Sequence, residues 1–365
     1  MGKTIVFGKW DAIWLIANMI STKILLSFAH PLVETAGSAA WILSIYLLIL
    51  ANIGFYFISK LFQRFPGKDI FDISLQIGGN WLKILVGIII LLTLVFLDIV
   101  YLREFSEEMK IIALTVSPLS YVMIFFVIAI TVVCFLGLET LAKLYAISIP
   151  ILALSFAVVG SMTIPQWDFS NALPVLGLGA DKIFITGFLS ISIYMELIFL
   201  FFLPPFLGSF KEFKSASYTA IIISGLALTV FSLSYVLLFP YPISLENMLP
   251  VYPSTRVIDF GRFIQRIEAL FMLFWSFTGF LYTSTAAYFT VYTFTRTFNL
   301  PHLRPLILPI ILLLYNITFL PRSLGETIYN LVTFLYESIW VVTFVMPVLL
   351  LITSMILKKR GKQHA

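Results

Sequence analysis

The sequence predicts an all-α integral membrane protein with about ten transmembrane helices, and three observations carry that prediction. Hydrophobic residues make up 60% of the 365-residue chain and charged residues 11%. A soluble domain carries ~25% charged residues, so this chain could not cover its surface in water and lipid must be its solvent. Apolar runs of about the 20 residues needed to cross a bilayer recur ten times, at roughly 10–33, 38–62, 80–103, 118–138, 141–163, 183–207, 216–240, 262–295, 304–320 and 328–357. In the first and sixth of these runs a lone charged residue interrupts a long apolar stretch, Lys23 between Ala12 and Ala29 and Glu196 between Ile183 and Leu207. In transporters built from two inverted five-span repeats those spans correspond, and both are usually broken helices that hold the substrate.

The first span is too long for a signal-peptide core and lacks a small-residue cleavage site, so it reads as a true span. Lys23 lies ~13 residues into it, ~20 Å deep at the helical rise, out of easy snorkelling reach. Ser21 and Thr22 beside it can satisfy backbone groups where a helix opens. The second span ends in the basic group Lys60, Arg64 and Lys68. In Phe65–Gly79, Ile70, Ile73 and Ile77 share one helical face flanked by Asp69, Asp72 and Gln76, while Phe71 and Leu75 fall on the other side. That pattern predicts a short interfacial helix. The third span ends near Asp98 and Tyr101; Arg103, Glu104, Glu107 and Glu108 read as interfacial, which makes solvation at the membrane surface the favoured reading of Asp98 and an outer-cavity role the other.

The fourth span contains Cys134, the sole cysteine, which excludes an intrachain disulfide and a cysteine metal site. Trp167 to Lys182, with Pro174, Gly177 and Gly179, and Pro240 to Gly261, with Pro242, Pro250 and Pro253, are loops long enough to act as a lid or a docking surface. In the sixth span Ser190, Ser192 and Tyr194 alternate with apolar residues just before Glu196. Helical periodicity fails there, as a short unwound segment requires, and Pro204-Pro205 closes the span. In the eighth span Trp275, Thr278 and Tyr282 follow i, i+3, i+7 spacing and share a face. Such a stripe serves packing or touches a ligand.

Lys and Arg segregate. With the N-terminus inside, the inner segments hold 15 of them (Lys3, Lys9, Lys60, Arg64, Lys68, Lys83, Lys143, Lys211, Lys214, Arg296, Arg304, Lys358, Lys359, Arg360, Lys362) and the outer segments 7 (Arg103, Lys110, Lys182, Arg256, Arg262, Arg266, Arg322). The positive-inside rule then places both termini in the cytoplasm. The net charge of +5 belongs to this topology and not to a nucleic-acid surface. A charge at mid-membrane depth costs at least ~2.5–3.5 kcal/mol and marks a functional site by default. Lys23 can line a cavity or form an ion pair with a nearby carboxylate. Glu196 can bind a cationic or hydroxylated group, relay a proton, pair with Lys23, or sit protonated between helices. No GxxxxGK[ST], HExxH or GxSxG motif is present, and His30, His302 and His364 are too scattered for a metal site. Neither enzyme function nor any cofactor is expected.

Four stretches carry a family resemblance: Arg64-Phe65-Pro66-Gly67-Lys68, Leu102-Arg103-Glu104-Phe105-Ser106-Glu107, Asn171-Ala172-Leu173-Pro174-Val175-Leu176 and Arg266-Ile267-Glu268-Ala269-Leu270-Phe271. In order and spacing the chain resembles the permease-like B subunits of bacterial spore germinant receptors, within the amino acid–polyamine–organocation superfamily. The resemblance implies a single transmembrane domain over 1–365 with a LeuT-like fold, inverted repeats at approximately 8–163 and 180–357, and broken first and sixth helices. It further implies sensing of small germinants, often amino acids, in the spore inner membrane. The implied partners are a larger A subunit and a lipoprotein C subunit. The candidate ligand-binding residues read from this chain are Ser21, Thr22, Lys23, Asp98, Tyr101, Ser190, Ser192, Tyr194, Glu196, Trp275, Thr278 and Tyr282. The sequence departs from the superfamily pattern where Ser21-Thr22-Lys23 replaces a glycine-containing break, and where neither proline nor glycine precedes Glu196 over Ser192–Met195; shallower breaks are expected. The Lys23 ammonium would stand in for the cation of sodium-coupled relatives.

The leading function is therefore a ligand-sensing receptor subunit that binds a small amphiphile, with amino acids the expected class, between the first, third, sixth and eighth spans. The alternative is a proton-coupled amino-acid transporter on the same fold, and a conduit for water or ions opened by partner subunits is the third reading.

Overall fold

The computed structural model describes residues 8–247, 249–258 and 267–361, by backbone alone over 267–274. Lys3, Arg262, Arg266, Lys362 and His364 lie outside the described residues. In chain order the helices are α1 (Lys9–Ser21), α2 (Ala29–Ala36), α3 (Ala40–Arg64), α4 (Ile70–Ile112), α5 (Leu119–Leu136), α6 (Leu138–Thr163), α7 (Ala180–Phe184), α8 (Phe210–Leu238), α9 (Val251–Arg256), α10 (Ile267–Thr297), α11 (Arg304–Ile317), α12 (Leu324–Glu326), α13 (Thr333–Ser338) and α14 (Met346–Ile356). Within the described residues each of the ten apolar runs is helical over most of its length. Among the described residues, seven helical stretches are long and apolar enough to cross a membrane by themselves. The first span is divided between α1 and α2. The ninth, α11, has 14 residues and so reaches only ~21 Å.

The first and sixth spans are broken. In the first, α1 tightens into a 3₁₀ turn at Thr22–Leu25, the chain becomes extended at Leu26 (φ −114°, ψ −154°), and α2 begins at Ala29. The α-helix therefore opens at the Ser21-Thr22-Lys23 stretch, and the break extends past Lys23 to the start of α2. Thr22 Oγ donates to the Asn18 carbonyl (2.7 Å), so the hydroxyl does satisfy the opening helix. The sixth span starts as α7 and continues as a 3₁₀ helix over Thr186–Phe201, with Tyr194 out of helical geometry (φ −100°, ψ 25°). The regular α-helix thus ends at Phe184, upstream of the alternating residues, and Tyr194 is where the chain leaves helical geometry before Glu196.

The third span corrects two expectations. The amphipathic segment does form a helix, but it is continuous with the span through a kink at Gly78 (φ −129°) and Gly79 (φ 71°). Glycine alone takes the second of these angles without strain. Phe71 is buried with Ile70, Ile73 and Ile77, so the packed face is wider than the isoleucine spacing suggests. At its other end α4 runs to Ile112, well past 103. Asp98, Arg103, Glu104 and Glu108 are accordingly buried, at 3%, 4%, 2% and 1% exposure, and not solvated at the interface. Asp98 accepts from Thr290 Oγ (2.6 Å) on α10. Arg103 pairs with Glu107 (2.8 Å).

Polar clamps hold the bundle at the side predicted to be cytoplasmic. Asp69 caps α4 through Asp72 N (2.8 Å) and receives Tyr292 Oη (2.7 Å) and Arg296 Nε (3.1 Å) from α10. Arg64 donates to the carbonyls of Ser354 and Lys359, tying α3 to the end of α14 and the turn that follows it. On the opposite side both long loops fold onto the end of the first span. Leu178 N bonds to Ala36 O (3.3 Å), Ser38 Oγ to Pro174 O (2.7 Å), and the His30 ring meets Leu245 O (3.2 Å). In the first of these loops Asp168 accepts from Ser170 Oγ (2.7 Å) and Ser170 N (2.9 Å), which hold its carboxyl below the usual carboxylate range.

Candidate functional site

The two lone charges meet. Lys23 Nζ lies 2.5 Å from Glu196 Oε2, both residues being 1% exposed. The ammonium also donates to the Ile193 carbonyl. That carbonyl is open to it because the chain leaves helical geometry at the next residue, Tyr194, which is how irregular backbone becomes a ligand at membrane depth. The other carboxylate oxygen of Glu196 accepts from Tyr101 Oη (2.9 Å) on α4. Tyr101 lies against Tyr282 of α10, ring centroids 4.3 Å apart. The first, third, sixth and eighth spans thus converge on one ion pair. Burying both charges is costly, and the pair persists because three charge-assisted contacts replace lost hydration.

Beside the pair is a cavity of about 10 Å³, lined by Lys23, Ser27, Tyr101, Glu104, Met195 and Tyr336 among others. That is room for one water, and the walls offer enough polar partners to hold it. Ser27 Oγ donates to Glu104 Oε1 (2.6 Å) across it. In this conformation the protein's own side chains leave about 10 Å³ beside the ion pair.

The remaining sequence candidates divide among other surroundings. Ser21, Thr22, Trp275 and Thr278 line a second, far larger cleft on the opposite face of the first span. Trp275 Nε1 donates to Leu25 O (3.1 Å), bracing the 3₁₀ turn that carries Lys23. Ser192 Oγ accepts from Trp340 N (3.0 Å) in the tenth span. Tyr194 is buried with its hydroxyl against Gly225 of α8. Ser190 is half-buried. Asp98 faces Thr290 and, like Ser190, Ser192, Tyr194 and Tyr282, lines neither cavity. Sequence reading missed Ser27, Glu104 and Tyr336. Ser27 could have been found from the position of the break, and Glu104 from a longer third span. Tyr336 carried no local signal. No cluster of three potential metal ligands occurs among the described residues.

Comparison with known proteins supplies a relationship for this geometry. Residues 9–327 match the family model described as "Spore germination protein". Spore germination protein YndE of Bacillus subtilis (strain 168) is 24% identical over 348 residues, covering 90% of each chain. Spore germination protein B2 of the same organism is 22% identical over 361 residues, covering 94% of this chain and 95% of that one. Spore germination protein XB of Bacillus anthracis is 21% identical over 253 residues, covering 67% and 68%. Among solved structures the chain resembles Mhp1, a nucleobase-cation-symport-1 family transporter in a closed conformation with bromovinylhydantoin bound. The TM-score is 0.62 at 12% identity, over 96% of this chain and 90% of that one. At that identity the likeness is one of fold, and it places the bundle in the LeuT-like class.

Proposed function

Because the chain belongs to the spore germination protein family, we propose that it is the permease-like membrane subunit of a germinant receptor, sensing a small germinant at the Lys23–Glu196 pair. One observation carries the reading: a single buried ion pair joins the two broken spans. A zwitterionic amino acid brings a carboxylate for Lys23 and an ammonium for Glu196. It can insert into the existing pair while keeping every charge partnered, at the cost of separating the first and sixth spans. The ~10 Å³ space beside the pair must widen to admit it, so the ligand favours an open arrangement of the bundle over the closed one. That difference in affinity is the signal. The loops packed on α2, which feel the end of the first span directly, would pass it to an A subunit and a lipoprotein C subunit. The setting is the spore inner membrane, with both termini on the core side.

Lys23→Ala and Glu196→Gln should each weaken the germinant response of spores, at least tenfold in effective concentration, with the protein still inserted in the membrane. A normal response by both variants across a full germinant titration removes the pair from the sensing step. A melting-temperature screen of the purified chain against amino acids, nucleosides and sugars identifies the ligand, because a ligand that prefers the folded state raises its stability.

The second reading, proton-coupled amino-acid transport, draws on the likeness in fold to a transporter and on a buried acid that can exchange its ion-pair partner for a proton. Uptake of labelled amino acid by liposomes containing only this chain, driven by a pH gradient, would select it. Saturable binding without uptake selects the receptor.

A further inference from the structure

The Lys23–Glu196 pair balances itself, and the small cavity beside it holds a further acid that the pair leaves unmatched. Glu104 lines that cavity, is almost fully buried, and accepts from Ser27 Oγ at 2.6 Å. The Ser27 backbone amide also donates to its carboxyl. That N–H is free to do so because the chain is extended at Leu26, just before α2 begins. Both partners are neutral. Among the described residues no lysine, arginine or histidine comes within ion-pair distance of Glu104. The ammonium of the site, Lys23 Nζ, is committed to Glu196 and to the Ile193 carbonyl. Glu108, one helical turn further along α4, is also buried, with the Trp275 indole as its hydrogen-bond partner and no cation among the described residues. One ammonium thus stands against three carboxyls, those of Glu196, Glu104 and Glu108. A buried carboxylate is tolerable as an anion only with a cation beside it, so this centre can accept added positive charge and not added negative charge.

We infer that Glu104 is a subsite for a second ammonium and that the ligand is an α-amino acid with a basic side chain, of the lysine or ornithine type. The inference rests on the central-site reading: the ligand's α-carboxylate goes to Lys23 and its α-ammonium to Glu196, and the side-chain ammonium goes to Glu104. Glu104 follows Tyr101, the hydrogen-bond partner of Glu196, by three residues on α4, ~4.5 Å along the axis. Lysine carries its ammonium on a flexible four-carbon stem, which covers such a step. Ser27 and Glu104 both lie on the side of the pair toward α2, onto which the two long loops fold, so a ligand entering past those loops meets Glu104 before the pair. With a basic amino acid in place, Lys23, Glu196 and Glu104 all have charged partners. A neutral amino acid satisfies the pair and leaves Glu104 unmatched. An acidic one adds a carboxylate to a centre already short of cations. Sugars and nucleosides offer hydroxyls, which bring no charge to Glu104.

Two pairs of amino acids isolate that charge: lysine against norleucine, and ornithine against norvaline, each pair alike but for the terminal ammonium. All four would be titrated calorimetrically into the full chain in nanodiscs. The expected result is saturable binding of lysine or ornithine at least about tenfold tighter than of its uncharged counterpart, the worth of a hydrogen bond to a charged group. Glu104→Gln keeps the size of the side chain and removes its charge. It should erase that preference while the uncharged amino acid still binds, which also shows that the variant is folded. Glu104→Asp should retain the preference. A purely structural Glu104 would instead weaken both members of a pair alike in Glu104→Gln. Lys23→Met should weaken all four probes, since each presents an α-carboxylate. Equal affinities within both pairs, or a preference that survives Glu104→Gln, overturn the inference and leave the central-site reading standing if Lys23→Met still weakens binding. No binding by any of the four overturns it as well. Saturable binding that Lys23→Met leaves unchanged overturns the central-site reading and the inference with it.

Discussion

Lys23 and Glu196 are each tolerable at membrane depth only because the other is present. Removing one partner strands the other in a buried site, a loss of about 3–5 kcal/mol, whereas replacing both by apolar or neutral groups of similar volume is often neutral. Lys23→Met and Glu196→Gln should therefore each lower the melting temperature of the purified chain more than the double variant does. Additive losses would show that the pair is not coupled in the folded state. Tyr101→Phe removes the hydroxyl that Glu196 accepts at 2.9 Å and should cost about 1.5–3 kcal/mol, the range for a hydrogen bond to a charged group, measurable by the same melting comparison.

At the scale of elements, the breaks and one close helix contact set the geometry. The 3₁₀ turn at Thr22–Leu25 and the 3₁₀ course of the sixth span expose the carbonyl and aim the side chains that form the pair. The long α4 then packs on α10 at Gly87. A Cβ there would come within 2.7 Å of Thr297 Cγ2 and 2.9 Å of Thr297 Cβ. Threonine is stiff at χ1 and Thr297 is fully buried, so the clash cannot be relieved by a rotamer change. Gly87→Ala should destabilise the protein by about 1–3 kcal/mol, as overpacking does, and Thr297→Ala should rescue it in the double variant. Failure of the rescue in a thermal melt would place the cost elsewhere in α4.

For the whole molecule, the charge distribution predicts that both termini face the cytoplasm and that the loop Trp167–Lys182 lies outside. Cys134, the single cysteine, is 1% exposed, so introduced cysteines can be labelled against a silent background. In intact cells an impermeant maleimide should label Ser170→Cys and spare Lys359→Cys. The reverse pattern inverts the topology and the predicted core-side termini with it. The family and the LeuT-like bundle do not depend on that result.

Much of this architecture was legible in the chain. Ten apolar runs, two lone charges in corresponding spans and the failure of periodicity before Glu196 follow from what lipid demands of a backbone: satisfied hydrogen bonds and no unpaired charge. The amphipathic spacing of Ile70, Ile73 and Ile77 foretold its helix for the same local reason. What local rules do not contain is which buried faces meet. The extension of α4 to Ile112 hides Arg103, Glu104 and Glu108 because neighbouring helices cover them, and a polar stretch covered by protein looks in sequence like one solvated at the interface. Likewise only packing decided that Lys23 would reach Glu196, that Ser27 and Glu104 would stand beside them, and that Ser21, Thr22, Trp275 and Thr278 would turn to a different cavity. Sequence set the solvent and the breaks; partners, 170 or so residues apart along the chain, were chosen by the way the helices cross.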